Sequence, residues 1–520
     1  MEKKIVIIDL EQDINELVKN SDIVKIYRGF VKTENVNIIN IGSIKKKTQK
    51  NLRKKLISSF ETYAKYIKKK YKNINPYLLS FFNIRNDSNR LYDKIFYFFH
   101  LKEFLKKKNY TDVSIISDNP NFKDLYFSLN VKKIKIIYKK KIIKKNIIFF
   151  YLSKISIFYF KTFLLLFYIK IFSKRAIIDK IKEAGLTLFP QNFNKLNNEF
   201  YKKNVLYLNF LLTDESHLNN SLIKNFREFK KINGCKNLII IEKHIGFYFL
   251  IKSYFAAFKK IFAVRDICNK KIYYNKIDIS YVTKELMLIS LINNAKLNIY
   301  NNAILKVIKE NNITKFHYYM FEYNLGFYLC NLVRLNTNVN LVGYQHGIYS
   351  NKLMWLAMLN KNELRQKYLP HNIKIKFSHS LSDYKIFFNK RDILNNKELK
   401  NNLPFINKKP LKKISTILVY LGLHDAIDMI CEIKDNFKKF ENIKIDIKLH
   451  PKFKDINTLQ LIKNIKVIKK VKNKYDLILL STTSTMVYDL ILKNILFKIL
   501  KPKYMSSLLP ENLEKFIKIS

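Results

Sequence analysis

The chain has few residues that bend a backbone and few acids. Its 520 residues include nine glycines, nine prolines, four cysteines and one tryptophan, and 41 Asp and Glu stand against 97 Lys and Arg. Scarce Pro and Gly, with 48% hydrophobic residues spread along the chain, exclude a long disordered or low-complexity protein. The cysteines, at 235, 268, 330 and 431, are too far apart for a zinc knuckle or a Cys-x-x-Cys redox pair. Buried thiols in a reducing compartment are the expectation. No secretory signal is expected either. Met1-Glu-Lys-Lys leads into only Ile5–Ile8 before Asp9 and Glu11, too short for an h-region. That run reads as a first buried strand, and a cytoplasmic location follows as an expectation.

What is abundant is positive charge, formally +56. Such a balance points first to nucleic acid. The lysines, however, are scattered through the chain and accompany abundant Asn, Ile, Phe and Tyr, the bias of A+T-rich coding. Nucleic-acid binders focus charge on one stripe. Nucleic acid is therefore set aside as a partner, and attraction to an anionic membrane surface is favoured.

At this length two or more domains are expected. Residues 1 to about 140 alternate short apolar runs with lysine-rich amphipathic stretches. Strands are expected at Ile5–Leu10, Val113–Asp118 and Val131–Tyr138, and a helix at Lys45–Lys72. Residues 147–172 break the rhythm with an almost continuous apolar run, long enough to span a bilayer. Lys154 and Lys161, on nearly one helical face, oppose spanning, and Lys170 is placed to snorkel. Lysine clusters flank both ends. A helix or helical hairpin lying in the membrane interface fits this best, with a buried core helix and a true span as alternatives.

From Asn204 the alternation of strands and helices resumes. Strands are expected at 205–212, 237–241, 315–321 and 341–343, with a long helical stretch up to about residue 310. A linker rich in Asn and Lys is expected around Asn389–Pro410. Beyond it, strands at 415–421, 443–449, 465–468, 477–480 and 495–500 alternate with helices at 426–440 and 486–493. The fold class is α/β, with two Rossmann-like units: an N-terminal one over 1–400, carrying the 147–172 hydrophobic insertion, and a C-terminal one over 401–520.

Three stretches follow apolar runs and gather polar groups where such sheets bind ligands, at the carboxyl ends of parallel strands. In Lys448-Leu-His-Pro451, proline stops the strand and leaves His450 to donate to a phosphate oxygen, with Lys448 adding charge. A turn-capping histidine is the plainer alternative. In Ser481-Thr482-Thr483-Ser484-Thr485, hydroxyls precede a helix, where they serve either as an anion site or as caps. In Gly343-Tyr344-Gln345-His346-Gly347, Gly347 permits close backbone approach and His346 can donate to phosphate or act as general acid/base. Gly422, after the first C-terminal strand, joins the expected phosphate-binding set.

Taken together, in this order and spacing, the three stretches resemble bacterial surface-carbohydrate transferases of GT-B type: polysialyltransferase-like enzymes, Kdo transferases and CDP-glycerol glycerophosphotransferases. A closer likeness is to surface-carbohydrate biosynthesis proteins with a Phe-Glu strand end, a helix and then Gly-Tyr-Gln-His, here Phe321-Glu-Tyr-Asn324 through Gly343–His346. The resemblance spans roughly residues 313–500. Where relatives carry Trp-Glu, this chain has Gly326-Phe327. The resemblance implies a GT-B fold, two Rossmann-like domains facing a cleft, with a donor nucleotide held by Gln345, Gly347, Gly422, Lys448, His450, Pro451 and Ser481–Thr485, mainly on the C-terminal side, and acceptor on the N-terminal side. It implies a glycosyltransferase, inverting, that moves a sugar or polyol-phosphate group from a nucleotide-activated donor to a surface polysaccharide or lipid-linked acceptor. The expected location is cytoplasmic and peripheral to the inner membrane. Glu322 is the first choice for general base and His346 the second catalytic group; Asp214 and Glu242 follow on positional logic. No Asp-x-Asp occurs, so neither metal nor cofactor is expected beyond the nucleotide-sugar substrate. The alternatives are a nucleotide-sugar epimerase of the same fold and a non-catalytic membrane-associated assembly protein.

Overall fold

The structure is a computed structural model. It describes residues 3–10, 14–26, 31–39, 41, 44–82, 91–139, 146–174, 178–187, 204–212, 221–320, 324–345, 349–375, 380–395, 414–422, 425–435, 442–450, 465–471, 475–481, 484, 486–487, 490, 495, 497–500 and 508–511.

Three open parallel sheets organise the chain. The first contains β1 (Lys3–Asp9), β2 (Asp22–Lys25), β3 (Asn37–Ile38), β4 (Tyr110–Ser117) and β5 (Lys133–Tyr138), in the order β3-β2-β1-β4-β5. The second contains β6 (Glu183–Thr187), β7 (Leu206–Asn209), β8 (Leu238–Ile240), β9 (Lys315–Tyr319), β10 (Asn340–Tyr344), β11 (Asn372–Ile375) and β12 (Ile393–Asn395), in the order β8-β7-β6-β9-β10-β11-β12. The third contains β13 (Thr416–Tyr420), β14 (Lys444–Lys448), β15 (Ile465–Val467), β16 (Leu477–Leu480) and β17 (Phe497–Ile499), in the order β15-β14-β13-β16-β17. Numbered within its own sheet, each starts 3-2-1-4-5, the Rossmann order. In each, the chain first builds outward on one side of its opening strand and then crosses to the other. The crossing leaves a switch point between β1 and β4, between β6 and β9, and between β13 and β16.

The α/β class and the apolar helical insertion are therefore both present. The expected pair of Rossmann-like units is joined by a third, because residues 3–138 form a sheet of their own. Two short strands that the sequence did not announce, β2 and β3, complete that sheet. The segment read as the start of the linker also holds structure: Ile393–Asn395 is β12, the edge strand of the second sheet. The rest of that segment, 396–413, lies outside the described residues.

Burial follows the period-two rule for strands. In the third sheet, Ile417, Val419, Ile445, Ile447 and Leu479 face one core with Met429, Ile430 and Ile433, whereas Leu418, Ile478, Leu480 and Ile499 face the other. The first two sheets instead share one continuous core. It is crossed by buried polar ties between distant segments, such as the Tyr274 hydroxyl donating to the Leu52 carbonyl at 3.1 Å.

Helix α1 (Ile147–Phe172) is the apolar insertion, capped by the Asn146 side chain, which accepts from the amides of Ile148 and Phe149. One face, with Tyr151, Ile155, Phe158, Tyr159, Leu165, Leu166 and Ile169, is buried. Its neighbour α2 (Phe247–Phe258) runs antiparallel to it. Tyr151 donates to the Ala257 carbonyl at 3.1 Å, Tyr159 stacks edge-on against Tyr254, and Phe163 lies 5.3 Å from Phe247.

Two of the four cysteines are the buried thiols expected. Cys268 and Cys330 are buried, with thiols pushed up to about 12 by desolvation, and Cys235 is half-buried. The Cys431 side chain lies outside the description.

Candidate functional site

The carboxyl edge of the third sheet carries a polar cluster that falls on the sequence motifs. After β13 the chain passes Leu421 and Gly422, and Asp425 opens the helix α3 (Ala426–Asp435). After β16 comes Ser481. Asp425 and Ser481 are both buried, at 1% and 0% exposure, directly over the β13/β16 switch point. The Ser481 hydroxyl lies 2.8 Å from Asp425 Oδ1 and 2.6 Å from Oδ2. Gly422 lets this pair form. A Cβ there would land on Asp425 Oδ1 and within 2.5 Å of Ser481 Oγ.

Ser484 performs the capping half of its predicted role. Its Oγ accepts the Met486 amide at 3.3 Å, and its carbonyl accepts the Val487 amide at 3.4 Å. His450, two residues past the end of β14, is half-buried, and desolvation lowers its pKa below the ordinary 6.5. Its imidazole is thus mainly neutral at pH 7. Lys448 is directed elsewhere: its ammonium donates to the Lys469 carbonyl beyond β15, on the side of β14 away from the switch point. Pro451, Thr482, Thr483 and Thr485 lie outside the described residues.

On the second sheet, Gln345 follows β10. Its amide donates to the Lys374 carbonyl at 3.0 Å, extending the β10–β11 ladder by one bond, and its side chain is 3% exposed. Gly343 has a packing reason: a Cβ would meet Met320 Cγ at 2.5 Å and Pro370 Cγ at 2.9 Å. Glu322, His346, Gly347 and Asp214 lie outside the described residues. β9 ends at Tyr319, three residues before Glu322, at the β6/β9 switch point.

Glu242 differs from the strand-end carboxylate expected of it. It is fully buried in the turn after β8. Its Oε1 accepts the amides of Leu211 at 2.8 Å and Leu212 at 3.1 Å, and the Tyr300 hydroxyl at 2.8 Å. Oε2 is buried, with no hydrogen-bond partner among the described residues. Desolvation outweighs these donors and pushes the carboxyl up to about 7. Glu242 pins the chain after β7 to the turn after β8, and at 0% exposure it does not reach a substrate in this structure.

Among the described residues, the buried groups that escaped the sequence motifs include two at switch points. One is Asp425, which follows His424 and reads in sequence as an ordinary helix N-cap; its position between Gly422 and the hydroxyl run was the available signal. The other sits at the β1/β4 switch point of the first sheet. There Asp9 pairs with Lys94 at 2.5 Å, both buried, and Asp9 also accepts from Tyr126, whose hydroxyl is 2.6 Å from Ser117 Oγ. Lys94 lies 4.2 Å from the centre of the Phe122 ring. Nothing in the sequence announced a lysine inside a core. No group of three or more His, Cys, Asp or Glu capable of holding a metal occurs among the described residues.

No family model and no curated protein matches the chain. Among solved structures it is similar to MurG of Acinetobacter baumannii (10% identity, 66% of this chain and 83% of that one, TM-score 0.32). It is similar also to the glycotransferase of kitacinnamycin (10%, 66% and 84%, TM-score 0.32) and to CalG4, the calicheamicin glycosyltransferase (11%, 65% and 82%, TM-score 0.29). Overlap of this extent leaves the function to be argued from the chain's own residues.

Proposed function

We propose that the chain is a glycosyltransferase of GT-B type, with donor nucleotide on the third sheet and acceptor on the second. The observation that carries this is the placement of Gln345, His450 and Ser481. These three motif residues, from three separated stretches, all fall at carboxyl ends of parallel strands in Rossmann-order sheets. The close approach of Gly422 to Asp425 and Ser481 supports it, since it holds the first turn of the third unit tight over its switch point.

In this reading the His450 imidazole and the amides and hydroxyls of residues 482–485 hold the donor phosphates, while Ser481, buried and bonded to Asp425, fixes the start of that segment. Glu322, just past β9, removes the proton from the acceptor hydroxyl. That oxygen bonds to the anomeric carbon as the carbon–oxygen bond to phosphate breaks, and the nucleotide leaves with the pair of electrons. Configuration inverts. The developing phosphate charge meets fixed donors, so no metal is required. The acceptor is a surface polysaccharide or its lipid-linked precursor, met from the cytoplasm at the inner membrane. Lys448 has a secondary part, because the Lys469 carbonyl engages its ammonium.

The test is binding of CMP, CDP, UDP and GDP to the purified chain, wild type beside His450→Ala. One nucleotide binding at micromolar concentration, weakened at least about tenfold by the substitution, is expected, the loss of one charge-assisted bond. A folded protein that binds none of the four overturns the proposal.

A further inference from the structure

The apolar insertion does not stand alone. Opposite its buried face, α1 leaves Phe149, Ile157, Phe160, Phe163, Phe167 and Ile171 exposed, between 44% and 73%. At about 100° per residue these six fall on one stripe. Lys154 and Lys161 lie along one border of that stripe and Lys170 along the other, where its ammonium sits 4.0 Å from the centre of the Phe247 ring. The adjacent antiparallel α2 repeats the arrangement. Tyr248, Ile251, Phe255 and Phe258 are exposed, at 79%, 52%, 56% and 47%, with Lys252 and Lys259 exposed among them. Phe262, just beyond, is 78% exposed. A contiguous apolar face of this size is uncommon on a protein that meets only water.

The charge around the face names its occupant. Between Asp124 and Asp179 the chain has no acidic residue, and none lies between Glu242 and Asp266. A second protein copy carrying the same +56 would be repelled. A surface that is apolar below and anionic above would be attracted on both counts.

We propose that α1 and α2 together form a monotopic docking face that lies in the plane of an anionic lipid bilayer, its rings in the acyl boundary and its lysines at the headgroups. The buried face of α1 stays on the protein. Tyr151 and Tyr159 remain bonded to the carbonyls of Ala257 and Ala295, which a spanning helix would have to abandon. The sequence pointed only to 147–172; α2 enters through the fold. The inference does not depend on the transferase reading.

The experiment is flotation of the full chain with vesicles of phosphatidylcholine alone and of phosphatidylcholine mixed with phosphatidylglycerol. Wild type is compared with Tyr248→Ser/Phe255→Ser on α2, Phe160→Ser/Phe167→Ser on α1 and Lys252→Glu/Lys259→Glu. All six side chains are exposed or half-turned to solvent, and circular dichroism confirms folding of each variant. The expected result is binding to anionic vesicles that each apolar pair weakens on the order of tenfold or more. The charge pair should remove most of the preference for the anionic vesicles, roughly fivefold per lysine. Three results overturn the proposal: no flotation with anionic vesicles, flotation indifferent to the α2 pairs, or protein that alkaline carbonate cannot release, as a spanning helix would give. A vesicle-free dimer that the apolar pairs dissolve would assign the face to a second copy instead. Nucleotide binding is measured without vesicles, so the two proposals fail separately.

Discussion

The Ser481 hydroxyl stands 2.8 and 2.6 Å from the two carboxylate oxygens of Asp425, both residues buried over the switch point of the third sheet. This contact joins the loop after β13 to the loop after β16. It sets the spacing between the two segments that flank the proposed phosphate site. Ser481 thus has a structural duty before any ligand arrives.

Ser481→Ala removes that link and takes a donor from a buried carboxylate. The expected loss is about 1–3 kcal/mol of stability. Ser481→Thr keeps the hydroxyl and should recover part of it. Urea unfolding of the three proteins checks this; an alanine variant as stable as wild type would show that the contact carries no weight.

Gly422→Ala attacks the same contact from the other side. Its Cβ has nowhere to go except against Asp425 and Ser481. Overpacking of this kind costs about 1–3 kcal/mol. Nucleotide affinity should fall with it, since the two loops must separate. Thermal unfolding and the nucleotide titration report the two effects on the same sample.

Much of the fold was legible because long apolar runs with period-two burial mark strands whatever surrounds them. Ile5–Leu10, 315–321, 443–449 and 477–480 all correspond to described strands, each within a few residues. What escaped was short or atypical. β6, Glu183-Ala-Gly-Leu-Thr187, opens with an acid and contains glycine, yet it sits beside the switch point of the second sheet. Its glycine is explained only by the fold, where a Cβ would come within 3.0 Å of the His317 and Tyr207 rings on the flanking strands. β2, β3 and β12 are two to four residues long, too short to show a period of their own, and exist only through pairing with neighbouring strands. At the candidate site, strand-end position identified His450 and Ser481. It could not identify Asp425, whose role comes from two loops about 60 residues apart meeting over one crevice.

The Asp9–Lys94 pair is a second test of buried polarity. Both side chains are 2% exposed or less. Lys94→Met removes one charge and leaves the other uncompensated, at an expected cost of about 3–5 kcal/mol. Asp9→Asn/Lys94→Met should recover a good part of that loss, because no unpaired charge remains. A double-mutant cycle by denaturant unfolding measures the coupling. Additive single effects would show that the ion pair is incidental to the stability of the first sheet.

Glu242 gives the pH signature. Its folded carboxyl titrates near 7, against 4.5 for an unperturbed glutamate, because it is buried. The folded chain therefore holds this proton more tightly than the unfolded chain does. Stability from this group is greatest below about pH 4.5, declines as pH rises to about 7, and is level above that. The full loss is about 3 kcal/mol. Glu242→Gln keeps an acceptor for the Leu211 and Leu212 amides and the Tyr300 hydroxyl but has no charge to desolvate. The difference in melting temperature, variant minus wild type, should thus grow between pH 5 and 7 and stay constant between pH 7.5 and 9. Buried groups elsewhere titrate equally in both proteins and cancel. A difference that does not change with pH would mean that water reaches the carboxylate and that the buried turn after β8 opens in solution.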